Sequence, residues 1–171
     1  EHVQPGQSYI IAANHQSLID IYLVYGFSPV EFKWVMKKEL GAVPILGAAC
    51  KAMGHILIDR SNPQSAIDSI NEAAKKIRNG MCIVFFPEGT RSDNENVMPF
   101  KKGAFRLAIE LGIPILPMSL HNTGNLVPNG TLNWKPGQVS MQIHEPITTR
   151  LLTPDDVDDL NNQTRQQIIN A

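Results

Sequence analysis

Six short apolar runs mark the chain at SYIIA (8–12), FKWVM (32–36), HILI (55–58), CIVFF (82–86), PILPMSL (114–120) and VSMQI (139–143). Runs this short, rich in β-branched and aromatic residues and bounded by Gly, Pro, Asn or Ser, read as strands. Segments of helical period lie between them. From the third run to the fourth, Ala66, Ile67, Ile70, Ala73, Ala74 and Ile77 recur at helical spacing and leave Asp68, Glu72, Lys75 and Lys76 largely to solvent. Asn62 can cap this helix, Pro63 suits its first turn, and Asn79-Gly80 can end it. A second helix is predicted over KGAFRLAIELG (102–112), and a third after TPDD (153–156), where a Thr cap, a first-turn Pro and two acids suit the positive helix end. Strands alternating with helices predict an α/β fold: a layered domain with a largely parallel or mixed β-sheet flanked by helices. Its site should lie in loops at the strand ends.

The length fits one domain, 1–171, since 171 residues of which 43% are apolar can bury a substantial core. No repeat, low-complexity tract or linker interrupts it. A net charge of -1 gives no electrostatic case for nucleic acid, so any anion site must be local. Cys50 and Cys82 have neither metal-ligand spacing nor the look of a disulfide framework, and Cys82 reads as a buried small hydrophobe. The chain starts at Glu1 rather than Met, which suggests a fragment or processed product. It has no signal peptide and no apolar run of about 18 residues to span a membrane, so this piece is expected to be soluble.

The segment NHQSLID (14–20) sets His15 and Asp20 five residues apart, straight after a strand. On a continuous helix that spacing is about 140° of rotation, so the two side chains can meet only if the backbone turns between them. A helix starting near Leu18 provides the turn. Ser17 is then a natural N-cap and Asp20 falls at the third helical position, the pattern of a capping box. His15 is left in the preceding turn, where its imidazole can fold back to Asp20. The same residues also fit a helix that Asp20 merely caps, with His15 an ordinary loop residue.

A second strand end, CIVFFPEGTRSDN (82–94), passes into an acid, a glycine, a hydroxyl and an arginine. Such a turn can aim backbone N–H groups and the Arg91 guanidinium at a phosphate, or it can be a solvated turn in which Glu88 pairs with Arg91. A third strand end, GHILIDRSN (54–62), offers Arg60. His15, Arg60 and Arg91 would then share one rim. Between the second and third runs, LGAVPILGAACKAMG (40–54) is small and apolar, which suits core packing.

These segments together resemble the glycerolipid acyltransferases typified by 1-acyl-glycerol-3-phosphate acyltransferase. NHQSLID is similar to the family's His-x4-Asp block, GHILIDR to its second block, FPEGTRS to its third and IPILPMSL to its fourth. KKEL (37–40) and FKKGAF (100–105) are similar to further family segments. Many members carry apolar membrane segments upstream of the first block, and this chain has room for none.

The resemblance implies transfer of a fatty acyl group from acyl-CoA or acyl carrier protein to the sn-2 hydroxyl of 1-acyl-glycerol-3-phosphate, giving phosphatidic acid in phospholipid biosynthesis. His15 would be the general base, with Asp20 orienting it. A thioester is already activated, so direct attack suits the absence of a G-x-S-x-G elbow, and Ser17 is better read as a cap than as a nucleophile. The implied substrate-binding residues are Lys37, Arg60, Glu88, Gly89, Thr90 and Arg91: Arg91 first for the phosphate, then Arg60 and Lys37, and Glu88 holding a substrate hydroxyl or fixing Arg91. Pro114 and Pro117 would set backbone geometry. No cofactor and no metal are implied; His2, His55, His121 and His144 are scattered. The partners implied are a lysophospholipid acceptor, the thioester donor and a membrane surface at its cytoplasmic face. The same resemblance also implies an acyl-chain groove or contact with a bilayer at 40–54. Another lysophospholipid or glycerol 3-phosphate as acceptor, a thioester hydrolase, and a non-catalytic lipid-binding module are the alternatives.

Overall fold

All six apolar runs form strands of one sheet in the computed structural model, which describes residues 2–59, 61–74, 77, 80–93, 96–131 and 133–171, with backbone alone at Pro63, Ala66, Ala73 and Ala74. The strands are β1 Ile10–Ala13, β2 Phe32–Lys37, β3 Ile56–Ile58, β4 Cys82–Phe85, β5 Ile115–His121 and β6 Ser140–Ile143. Their order across the sheet is β3-β2-β4-β1-β5-β6. The first five run parallel, and β6 joins β5 antiparallel at one edge. Every residue of β1 and β4 is buried, as strands covered on both faces must be, whereas β6 alternates between exposed and half-buried.

Helices α1 Ile19–Phe27, α2 Leu46–Ala52, α3 Pro63–Ala74, α4 Gly103–Leu111, α5 Thr123–Leu126 and α6 Val157–Ile169 connect and cover the strands. The predicted start of α3 is confirmed by the Ser65 N–H donating to Asn62 Oδ1 at 3.1 Å, while the end expected at Asn79 lies outside the described residues. Gly112, at φ 62°, closes α4 in the left-handed conformation that a glycine adopts without strain. Thr153 and Asp156 form a capping box, although the helix it opens begins as a 3-10 turn, Pro154–Asp156, before α6. Two elements were not anticipated: α2, preceded by a 3-10 turn at Lys38–Ala42, and the short α5.

Alternation along β1 divides the interior in two. Ile10 and Ala12 pack on the side built with Phe105, Leu107, Ile168 and Leu160 from α4 and α6. Ile11 and Ala13 face Leu23 and Val24 of α1, with Trp34 and Leu120. Burying each such side chain is worth about 1.5–3 kcal/mol. The layers are unequal: α4 and α6 seal one face, whereas α1 leaves Tyr22 and Tyr25 exposed on the other. Cys82 is fully buried, and burial pushes its thiol up to about 11, so it is a core residue as expected. Among the described residues no helix is long and apolar enough to cross a membrane.

Parallel strands put their carboxyl ends on one edge. The chain leaves β1 there into His15, β2 at Lys37, β3 into Asp59 and β4 into Phe86, so the sheet gathers segments far apart in sequence onto one rim.

Candidate active site

The loop after β1 is anchored by Asn14. Its buried carboxamide donates from Nδ2 to the Leu120 carbonyl and accepts the Leu120 N–H at Oδ1, both at 2.8 Å, tying the end of β1 to β5. The chain then turns, and α1 begins at Ile19 with Leu18, which has no capping side chain, at its N-cap. The capping box expected at Ser17 is half formed. Asp20 Oδ2 accepts the Ser17 N–H at 2.9 Å, but Ser17 Oγ takes the Ile19 N–H at 3.3 Å and donates to the Val127 carbonyl at 2.7 Å.

The same Asp20 oxygen accepts the Gln16 N–H at 2.7 Å and His15 Nδ1–H at 2.8 Å. Capping and orienting the histidine are therefore one interaction rather than competing ones. Asp20 is 0% exposed, and among the described residues its Oδ1 has no hydrogen-bond partner. An acceptor at Nδ1 places the hydrogen there and leaves the lone pair on Nε2, the tautomer a general base needs.

The second strand end completes the hold on His15. Glu88, 4% exposed, accepts the His15 N–H at Oε1 (2.7 Å) and the Met98 N–H at Oε2 (2.9 Å). Ser92 donates its N–H to the His15 carbonyl at 2.9 Å. The Phe86 ring stacks on the imidazole with centroids 3.8 Å apart and planes 7° apart, and it stacks in turn on Trp34 at 5.1 Å. Burial raises the Glu88 carboxyl above the ordinary glutamate value, its two N–H bonds pull it down, and Asp20 adds to the rise. In place of the expected contact with Arg91, both Glu88 oxygens hold main chain.

Gly89 takes φ +79° as its N–H closes onto the Phe86 carbonyl at 3.0 Å. A Cβ there would stand 2.7 Å from Lys101 Nζ, so the lysine lies directly across this turn. Its own N–H donates to the Pro87 carbonyl at 2.8 Å. Lys101 is not among the residues that the family resemblance implies, although its segment, FKKGAF, is part of that resemblance. Arg91 is half-buried and Thr90 exposed on the same turn. Lys37 stands exposed at the end of β2, 3.6 Å from Glu39. Arg60 lies outside the described residues. Pro117 sits in β5, one residue before its pairing with β6 begins, and its carbonyl takes the His144 N–H. Among the described residues, no three His, Cys, Asp or Glu side chains gather as a metal would require.

A family model described as acyltransferase matches residues 1–121. The 1-acyl-sn-glycerol-3-phosphate acyltransferase of Limnanthes alba is 39% identical over 93% of this chain and 56% of its own length. The alpha form of Homo sapiens is 32% identical over 98% of this chain and 60% of its own, and the chloroplastic BAT2 enzyme of Brassica napus is 36% identical over 81% and 40%. This chain thus spans about half the length of these relatives. The crystal structure of the 1-acyl-sn-glycerophosphate acyltransferase PlsC from Thermotoga maritima superposes with a TM-score of 0.80, at 30% identity, over 99% of this chain and 68% of that one.

Proposed function

The chain belongs to the acyltransferase family, and on that premise we propose that it moves a fatty acyl group from a thioester to the sn-2 hydroxyl of 1-acyl-glycerol-3-phosphate, giving phosphatidic acid. The observation that carries the reading is the His15 Nδ1–Asp20 Oδ2 contact at 2.8 Å, which turns Nε2 into a proton acceptor at the carboxyl rim of the sheet. Nε2 takes the acceptor's hydroxyl proton as the oxygen attacks the thioester carbonyl carbon. The tetrahedral intermediate collapses, the C–S bond breaks, and the imidazolium returns the proton to the departing thiolate. Asp20 favours the transient imidazolium and keeps the ring in register. No acyl-enzyme is needed.

The acceptor phosphate is assigned to Arg91, on the turn that also carries Glu88, and to Lys101 across it, with Lys37 and Arg60 as further cations by family position. A guanidinium can grip two phosphate oxygens at once. Gly89 and Thr90 shape the approach. The donor is acyl-CoA or acyl carrier protein, the reaction uses no metal or other cofactor, and the chain works at a membrane on its cytoplasmic face, where thioester and lipid meet.

The test is to incubate the purified chain with acyl-CoA and 1-acyl-glycerol-3-phosphate, follow thiol release and identify products by mass spectrometry. Phosphatidic acid that disappears with His15→Ala is the expected result. Thiol release indifferent to any lysophospholipid would mean a hydrolase, and no turnover would mean a lipid-binding module.

A further inference from the structure

The connection from β5 to β6 runs over residues 122–139, far longer than the tight turn that can join antiparallel strands. A connection of that length in a small domain usually serves function. This one is folded on itself: the Asn122 carboxamide donates to the Gln138 carbonyl at 2.6 Å, and the Lys135 N–H to the Leu126 carbonyl at 2.8 Å. Its helix α5 lies close against the catalytic turn, since a Cβ on Gly124 would stand 3.3 Å from Gln16 Cβ.

Past α5 the connection touches both halves of the site. The buried Val127 carbonyl accepts the Ser17 hydroxyl at 2.7 Å, inside the turn that joins His15 to Asp20. Two residues on, Asn129 Nδ2 donates to Asp93 Oδ1 at 2.7 Å, just past Arg91. Between them stands Pro128, whose ring fixes its own φ and holds Val127 to extended backbone, found at φ -135° and ψ 91°. Val127-Pro128-Asn129 is thus a stiff brace from the turn of the base to the turn of the anion site. The two turns also meet directly, through the Ser92 N–H on the His15 carbonyl at 2.9 Å. With the brace they enclose a cleft of about 70 Å³ whose lining includes Gln16, Asp93 and Asn129.

The consequence is a fixed separation. A base and a phosphate-binding guanidinium held at one distance select an acceptor by the number of carbons between its hydroxyl and its phosphate, because a small misplacement of the reacting oxygen costs rate. The sn-2 hydroxyl stands on the carbon next to the one that bears phosphate, and the sn-1 hydroxyl stands one carbon further away. We propose that the Val127-Pro128-Asn129 brace sets the span from His15 to Arg91 and so the choice of the sn-2 hydroxyl, with Asn129 a positioning residue that acts through Asp93. The proposal rests on the acyltransferase reading, in which His15 Nε2 meets the hydroxyl and Arg91 the phosphate.

The test compares two ether acceptors whose chains cannot migrate, 1-alkyl-glycerol-3-phosphate with its free sn-2 hydroxyl and 2-alkyl-glycerol-3-phosphate with its free sn-1 hydroxyl, each with the same acyl-CoA. The two carry equal charge and equal tails, so an added charge or a partly unfolded chain weakens both alike. Asn129→Asp sets two carboxylates together and breaks the brace. The ratio of kcat/KM for the sn-2 over the sn-1 hydroxyl should then fall about fivefold, the worth of one ordinary hydrogen bond, while KM for acyl-CoA stays unchanged. Pro128→Gly, which keeps both contacts but loosens the link between them, should move the ratio the same way. Asp93→Asn combined with Asn129→Asp exchanges donor and acceptor and should restore it. A parent chain that uses the sn-2 hydroxyl while Asn129→Asp keeps its ratio would overturn the brace alone, and so would a double variant no better than Asn129→Asp. A parent chain that acylates neither isomer would overturn the acyltransferase reading and the brace with it.

Discussion

Glu88 Oε1 holds the main-chain N–H of His15 at 2.7 Å, so a residue of the turn after β4 decides where the histidine after β1 stands. A buried carboxylate shared between two N–H donors, those of His15 and Met98, acts as a clamp between strand ends. This makes Glu88 a positioning residue, and its substitution should be read in the geometry of His15.

Glu88→Gln leaves one accepting oxygen where two N–H groups need acceptors. A buried donor without a partner costs about 1–3 kcal/mol, so the variant should be less stable and slower, with kcat falling more than KM for either substrate. An effect confined to the acceptor KM would mean that Glu88 binds lipid instead.

The same carboxyl should shape stability against pH. Burial raises it above the ordinary value of 4.5, so between that value and the raised one the folded chain keeps a proton that the unfolded chain has released. Its stabilising contribution is fully present below the ordinary value and is lost as pH rises through the raised one. Urea unfolding at a series of pH values should show this decline in the parent chain and a flatter curve in Glu88→Gln; identical curves would refute the assignment.

His15→Ala should fold and lose about 10²–10⁴ in rate. Asp20→Asn can keep an oxygen toward Gln16, Ser17 and His15, so it should unfold near the parent's midpoint while kcat drops by about 10²–10⁴ for want of a charge beside the imidazolium. Comparing denaturation with turnover separates the two effects. A stable Asp20→Asn chain at full rate would reduce Asp20 to a cap.

For the anion site, Arg91→Ala and Lys101→Ala should each raise KM for the lysophospholipid more than for the thioester, with each substrate varied alone. Arg91→Lys should restore Arg91 only partly, because ammonium lacks the planar fork. Gly89→Ala should cost more than Lys101→Ala, since its Cβ would stand 2.7 Å from Lys101 Nζ and would also strain a turn residue held at φ +79°. Equal changes for both substrates would remove these cations from the acceptor.

Phe86→Leu removes the ring lying 3.8 Å from the imidazole. Such a stack is worth about 0.5–1.5 kcal/mol beyond its buried area. The expected outcome is a modest fall in unfolding midpoint and a larger fall in kcat, because the imidazole loses the face that fixes its plane. An unchanged kcat would leave Asp20 as the sole orienter of the ring.

The strands, the start of α3 at Asn62, the Thr153 and Asp156 cap and the turn that joins His15 to Asp20 were legible because each is written within a few residues. Period, capping oxygens and chain reversals act over that range, and a pair five apart can be judged from the one turn between them. The helix α2 was not legible: LGAACKA has no strong period, and it is held by backbone contact with Gly41. Nor could the sequence show that Asn14 would bond Leu120, that Glu88 would clamp His15 rather than Arg91, or that Lys101 would cross Gly89. Those partners stand far apart in the chain and meet only because the strand order sets β1 between β4 and β5 with their carboxyl ends on one edge. What the sequence by itself determined is the six strands, the locally written helix starts and the meeting of His15 with Asp20, whose interactions are local. What only the tertiary structure decided is which backbone each buried polar side chain satisfies, because a buried carboxylate or carboxamide must take whatever donors the assembled sheet brings to it.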